Sequence, residues 1–290
     1  MHDPSLVEEA GTLYLFSTDA GAPPAPPYLR LRASYDNGTT WVTRGAIFPA
    51  IPAWARARVP AATNLWAPDA TWSPTRGLWH VYYAVSSFGS PDSAIGLATT
   101  PSLAAPQWRD EGLVLASSAA SGFNAIDPAY LHSAGWLVLG SFWSGVYAVR
   151  IDPATGKVSS ANATLVHLAQ RAPPDALEGA FLVERPDALY LFLSWDFCCR
   201  GAASNYSVRV GRAAGGVEGG FVDREGVSLL RGGGSPLVGG GHGWAAGGGQ
   251  SFLLGTDRMV LHAYDAVSGD PYVQLVVVDW GADGWPALRV

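Results

Sequence analysis

Lysine is what this sequence has least of. Of its 18 basic residues only Lys157 is a lysine, and with a net charge of −6 no basic face is available to a phosphate backbone, which excludes nucleic acid as a partner. Charged residues of both signs make up only 14% of the chain. No apolar run approaches the ~20 residues a membrane-crossing helix needs, so no membrane partner is expected. Cysteine is almost absent too, and the two present, Cys198 and Cys199, are neighbours. Adjacent Cα atoms stand about 3.8 Å apart, below the usual disulfide span of ~4.4 to 6.8 Å. The pair is therefore two free thiols or a rare vicinal disulfide, and it does not fix the redox compartment. Neither CxxC nor HExxH occurs, so zinc is not indicated, and without GxSxG a serine hydrolase has no support. The glycine-dense stretch 232–249 has no lysine after it and is no phosphate loop.

Turn formers are abundant instead. With 35 glycines and 21 prolines, the chain suits many short strands and suits long helices badly. One plan recurs along it: an ionisable opener, a short apolar strand, a turn and a second apolar strand. Asp3 opens HDPSLV before TLYLFSTD, and Asp69 opens PDATW before LWHVYYAVS. Asp127 stands in NAIDPAYL before WLVLGSFW, and Glu178 opens EGAFLVE before ALYLFLSWD. His242 opens HGWAA before DRMVLHAYD. These openers lie 66, 58, 51 and 64 residues apart. A repeat of this size with several strands per unit predicts an all-β fold, a five-bladed β-propeller filling residues 1–290 as one domain. The innermost strand of each blade starts at the shared axis, so five openers are expected to converge on one mouth. The fifth first strand is expected near Gly243–Ala246 and the last strand over 272–280.

Converging carboxylates cannot be packed dry, because unpaired buried charge is very costly. Two of them are the minimum equipment of a glycosidase, one to protonate the leaving oxygen and one to activate water or attack carbon. The alternative is that Asp3, Asp127 and Glu178 are turn residues capping strand starts. Most of the 12 tryptophans are expected in the core, whereas Trp66 and Phe88, in turn-like contexts, suit a sugar-binding groove. His242, between glycines, is a loop residue unless it faces the axis, where it could bind a metal or hold the acid. Sequons at Asn37, Asn162 and Asn205 permit glycosylation.

Taken together, HDPSLV, LWAPDATW, YYAVSSFGSPDSAIGLATT, NAIDPAYL, GSFWSG, LEGAFLV, YLFLSWDFCCRG and LHAYD resemble the family 43 glycoside hydrolases, and within them the endo-α-1,5-L-arabinanases, over nearly the whole chain. The resemblance implies a five-bladed propeller and an inverting mechanism on arabinan or arabino-oligosaccharides. It makes Asp3 the general base, Glu178 the general acid, and Asp127 the residue that raises the acid's pKa and orients it. Substrate contacts fall to Trp66, Phe88, the backbone of Asn124, Ala125 and Ile126, Ser144, Gly145 and the FCCR loop, leaving Asp69 a structural or groove residue. An axial histidine, His242, is implied to ligate a largely hydrated calcium ion. Where the family usually has Ala-Pro after the acid, this chain has Gly179-Ala180. No signal peptide precedes Asp3 in this chain, but the resemblance implies an extracellular enzyme, expected to act as a monomer. Two other readings stay open: exo release of arabinose or xylose, and a propeller that binds arabinan without cutting it.

Overall fold

Alternating apolar runs broken by Gly, Pro and Asx turns dictate short antiparallel strands. The computed structural model, which describes residues 1–19, 26–159 and 163–289, arranges them as five antiparallel sheets. The sequon Asn162 and most of the Pro-rich loop after Thr18 lie outside the described residues. Blade 1 comprises His2–Glu9, Thr12–Thr18, Tyr28–Ser34 and Val42–Phe48, and blade 2 comprises Trp66–Ser73, Leu78–Val85, Ser93–Thr100 and Arg109–Ser117. Blade 3 is shorter: Ala129–Leu131, Trp136–Leu139 and Val146–Asp152, the last pairing with both Lys157–Val158 and Val166–Ala169. Blade 4 holds Leu177–Glu184, Leu189–Trp195, Ser207–Ala213 and Ser235–Val238, and blade 5 holds Trp244–Phe252, Arg258–Asp265, Pro271–Trp280 and Pro286–Leu288. The expected fifth first strand thus runs further than Gly243–Ala246, and the strand over 272–280 is followed by one more. The one α-helix among the described residues, Ala53–Arg58, buries Ala55 against the core between blades 1 and 2.

Each blade is built in chain order, so the ring closes between blades 5 and 1 through side chains rather than an exchanged strand. Leu6, Leu13 and Leu15 pack with Leu253 and Val260, and the Ser251 hydroxyl donates to the Pro4 carbonyl at 2.8 Å. Between blades 2 and 3 the lone lysine makes a polar tie. Lys157 Nζ donates to the carbonyls of Glu111, Gly112 and Leu113 at 2.5, 2.9 and 2.6 Å, and burial lowers its pKa. Removing it leaves three carbonyls without that donor. Lys157→Met is expected to cost about 1–3 kcal/mol, read as a Tm lower by several degrees with kcat unchanged. An unaltered Tm would show that water replaces the ammonium without loss.

The strand starts follow a rule that opener spacing does not reveal. In blades 1, 2, 4 and 5 the first strand slips register against its partner, between His2 and Ser5, Trp66 and Asp69, Glu178 and Phe181, and Gly248 and Ser251. The first bulged residue takes a left-handed backbone: Asp3 (φ 47°), Ala67 (φ 43°), Gly179 (φ 57°) and Gly249 (φ 59°), matched in blade 3 by Asp127 (φ 53°). This conformation disfavours side chains, and bulges of this kind re-aim residues toward sites. Asp3 and Asp127 are therefore equivalent, but Glu178 lies one residue before the bulge and Asp69 two after it. His242 is not an axial residue at all. It is exposed on the turn between Gly241 and Trp244, because the second glycine cluster, 247–249, forms the axial bulge and brings Gln250 to the place expected for a histidine.

Candidate active site

The five bulges surround one axial cavity, lined in turn by Asp3-Pro4, Ala67-Pro68-Asp69, Asp127-Pro128-Ala129, Gly179-Ala180-Phe181 and Gly249-Gln250-Ser251. Proline after three of the bulges leaves no backbone N–H at those points of the wall. Asp3 looks into this space with its side chain still 32% exposed. Its surroundings are protein on nearly every side, and that burial pushes the carboxyl up to about 6 against a hydrogen bond from Thr18. The Thr18 hydroxyl oxygen also accepts from Ala67 N at 2.7 Å, which ties the blade 1 and blade 2 bulges together.

Glu178 is held at both oxygens by hydroxyls. Ser141 donates to Oε2 at 2.7 Å and Tyr206 to Oε1 at 2.8 Å. Asp127 accepts from the Gly179 backbone N–H at 3.0 Å. Burial raises both carboxyls. The nearby charge of Asp3 adds to the rise at Glu178, and the charges of Glu178 and Asp3 add to the rise at Asp127. Such a pair titrates jointly, and the donors decide how it shares a proton. A backbone N–H can only donate, so it favours an ionised Asp127. Hydroxyls can reverse direction, so Ser141 and Tyr206 accommodate Glu178 in either state. No Lys or Arg pairs with these three acids among the described residues. Asp69 differs: its oxygens accept from Ser5 Oγ at 3.5 Å and Tyr130 N at 2.8 Å, and burial pushes it to about 7. It braces three blades.

The expected binding residues divide. Phe88 is 86% exposed on the turn after Leu78–Val85, and Trp66 is half-buried at the start of its strand. Asn124, Ala125 and Ile126 are buried, but Asn124 Oδ1 has no hydrogen-bond partner. Ser144 is half-buried and spends its hydroxyl on Gly122 O at 2.6 Å. Gly145 is buried, and a Cβ there would stand 2.1 Å from Ala169 O, so its role is to let two backbones meet rather than to offer a surface. The expected FCCR loop carries Phe197, paired with Phe142 at 6.0 Å, and Arg200 over the Phe197 ring at 3.9 Å, while Trp143, a tryptophan beside an opener, has an exposed ring instead of a core one. Sequence reasoning passed over Ser141, Tyr206 and Gln250, whose motifs carry no signal of their own. Cys198 and Cys199 are joined as a disulfide on this rim.

A histidine-ligated ion does not fit these residues. His242 is remote from the axis, and His262, behind the cavity, has its Nδ1 engaged by Asp3 N at 3.2 Å and its Nε2 facing Tyr264 Oη at 3.3 Å. Gln250 spends its amide inside the protein, Nε2 donating to Gly179 O at 2.6 Å and Oε1 accepting from Ser194 Oγ at 2.9 Å. Among the described residues no group of three His, Cys, Asp or Glu is arranged to hold a metal.

A five-bladed propeller with three carboxyls on its axis unpaired with any Lys or Arg, all three at raised pKa, under an aromatic rim, defines a glycoside hydrolase. Residues 1–286 match the family described as glycosyl hydrolases family 43, and the chain belongs to that family. It is 36% identical to the extracellular endo-α-(1→5)-L-arabinanase 1 of Bacillus subtilis over 99% of this chain and 87% of that protein. It is 34% identical to the extracellular exo-α-(1→5)-L-arabinofuranosidase of Cellvibrio japonicus, over 99% of this chain and 86% of that one. Among solved structures, an endo-arabinanase of Bacillus licheniformis superposes with a TM-score of 0.90 at 36% identity, over 99% of this chain and 97% of that chain.

Proposed function

We propose that this protein hydrolyses internal α-1,5-L-arabinofuranosidic bonds of arabinan with inversion. Asp3 takes a proton from water, Glu178 gives one to the leaving oxygen, and Asp127 keeps the Glu178 proton in place by its charge. The observation that carries the reading is the uncompensated carboxyl trio on the axis, with the acid candidate held by two reversible hydroxyls. The exposed aromatics Phe88 and Trp143 suit the faces of successive sugar rings. Endo action is favoured by the endo-arabinanases among its relatives, and the exo enzyme of Cellvibrio is the second reading. Secretion accords with the two relatives named extracellular and with a disulfide, which persists in oxidising compartments. We take the working unit to be a monomer.

Product analysis on linear arabinan tests this. Short arabino-oligosaccharides appearing before arabinose are the expected result, and arabinose alone from the first time point would transfer the protein to the exo class. Among the described residues the axis offers no histidine for a calcium ion, because His242 lies away from it. Dialysis against EDTA with the metal content and Tm both measured decides whether calcium is held. We expect no bound calcium in stoichiometric amount, and one ion per chain with a Tm lowered by its removal would overturn the expectation.

A further inference from the structure

Asp3 sits in the bulge of its strand, so the ladder with Thr12–Thr18 does not hold its N–H, and the next residue, Pro4, has none to give. A carboxylate that must aim a water at one face of a sugar is thus carried on a backbone that is left-handed and outside the sheet. What holds it comes from blade 5. Asp3 N donates to His262 Nδ1 at 3.2 Å, and Pro4 O accepts from Ser251 Oγ at 2.8 Å. Because Nδ1 accepts, the His262 proton is on Nε2, which faces Tyr264 Oη at 3.3 Å. The same Tyr264 oxygen accepts from Cys199 N at 2.9 Å, where the Cys198–Cys199 disulfide turns the chain at the rim of blade 4. His262 is 1% exposed and is fitted closely from the front by a glycine. A Cβ on Gly249 would stand 2.7 Å from the His262 ring and 2.9 Å from Asp3 Oδ1.

We infer that His262, braced through Tyr264 by the Cys198–Cys199 turn, is the positioning residue for Asp3, fixing the backbone of the base so that its carboxylate meets the attacking water in line. The inference rests on the reading of Asp3 as the general base. His262 serves as an acceptor, so it must be neutral. Burial holds its pKa well below the ordinary histidine value, with the charges of His2 and the Met1 amino group adding to the effect, and the Asp3 carboxylate and the hydroxyls of Tyr206 and Tyr264 also stand around it. A displacement of about 1 Å at a reacting group is enough to cost on the order of 100-fold in rate.

The test compares His262→Leu, which fills the space without an acceptor, His262→Asn, whose amide oxygen can replace Nδ1, and Tyr264→Phe, which cuts the brace alone. Each is assayed on linear arabinan and on an arabino-oligosaccharide bearing a nitrophenolate leaving group, beside Asp3→Asn. For His262→Leu we expect kcat to fall 10- to 100-fold with KM within twofold. The loss should be the same on both substrates, because a better leaving group relieves the acid and not the base. The acid limb of its kcat/KM profile should move to lower pH as Asp3 swings toward solvent. His262→Asn should recover most of the rate, and Tyr264→Phe should lose 3- to 10-fold. A folded His262→Leu with kcat within twofold of wild type overturns the inference, as does a loss confined to KM. If His262→Leu does not fold, Tyr264→Phe decides, and full activity there overturns it. Should Asp3→Asn itself stay active, the reading of Asp3 fails; an inert Asp3→Asn beside a fully active His262→Leu removes only the tether.

Discussion

Replacing Glu178 by Ala lowers kcat on linear arabinan by about 10³- to 10⁴-fold, leaves KM within a factor of a few, and loses far less rate on a nitrophenolate substrate. The arabinan leaving group is a sugar alkoxide that cannot depart without a proton, whereas a nitrophenolate can. The size of the rescue therefore measures proton donation at this residue. Glu178→Ala leaves Ser141 and Tyr206 facing a void, which costs stability but not the leaving-group pattern. The alkaline limb of the pH profile should vanish with it. In the wild type Glu178 must be protonated, so activity falls as pH rises through its raised pKa. Equal losses on both substrates would mean that Glu178 supports the fold of the site and does not donate.

Asp3→Ala gives the opposite signature. Its kcat falls by about 10³- to 10⁴-fold on both substrates, and azide, a small anion that needs no deprotonation, restores rate by entering the space the carboxylate leaves. The product is then a glycosyl azide of inverted configuration, formed as the azide nitrogen bonds to the anomeric carbon and the leaving oxygen departs with the Glu178 proton. In the wild type Asp3 must be ionised, so activity falls as pH drops through about 6. The optimum lies where Asp3 is ionised while Glu178 still holds its proton. Stability runs the other way. Folded carboxyls with raised pKa hold protons more tightly than unfolded ones, so their contribution is complete below about 4 and lost as pH rises through 6. The site is thus kept at a cost to stability where it works, as functional carboxyls often are. A profile without an acid limb near 6, or an Asp3→Ala variant indifferent to azide, would remove Asp3 from the role of base.

Blade number was legible because turns and apolar runs are local, whereas the short last strand Pro286–Leu288 gave no such run. Thr12–Thr18, Leu78–Val85 and Arg258–Asp265 stand where the apolar runs after the openers put them. The register of the bulges was not legible, since it depends on pairing between strands. For that reason the five openers read as equivalents when Glu178 stands one residue ahead of the bulge and Asp69 two behind it. Two glycine clusters flank the start of blade 5, and sequence pattern favoured the one holding His242. The other is the axial bulge, because a left-handed residue with a histidine ring at its α-carbon must be glycine, as Gly249 is. His262 and Tyr264 were visible in LHAYD without a role, as their partners lie at the far end of the chain and in blade 4. The vicinal pair could have been thiols; only its geometry in the turn joins it.

Proton NMR of the first-formed product on linear arabinan, read before mutarotation, tests the central claim most directly. An inverting Asp3–Glu178 pair predicts that the new reducing end appears first as the β-furanose and equilibrates afterwards. An α-furanose appearing first would mean retention through a covalent intermediate, and would contradict the assignment of Asp3 as a base acting on water.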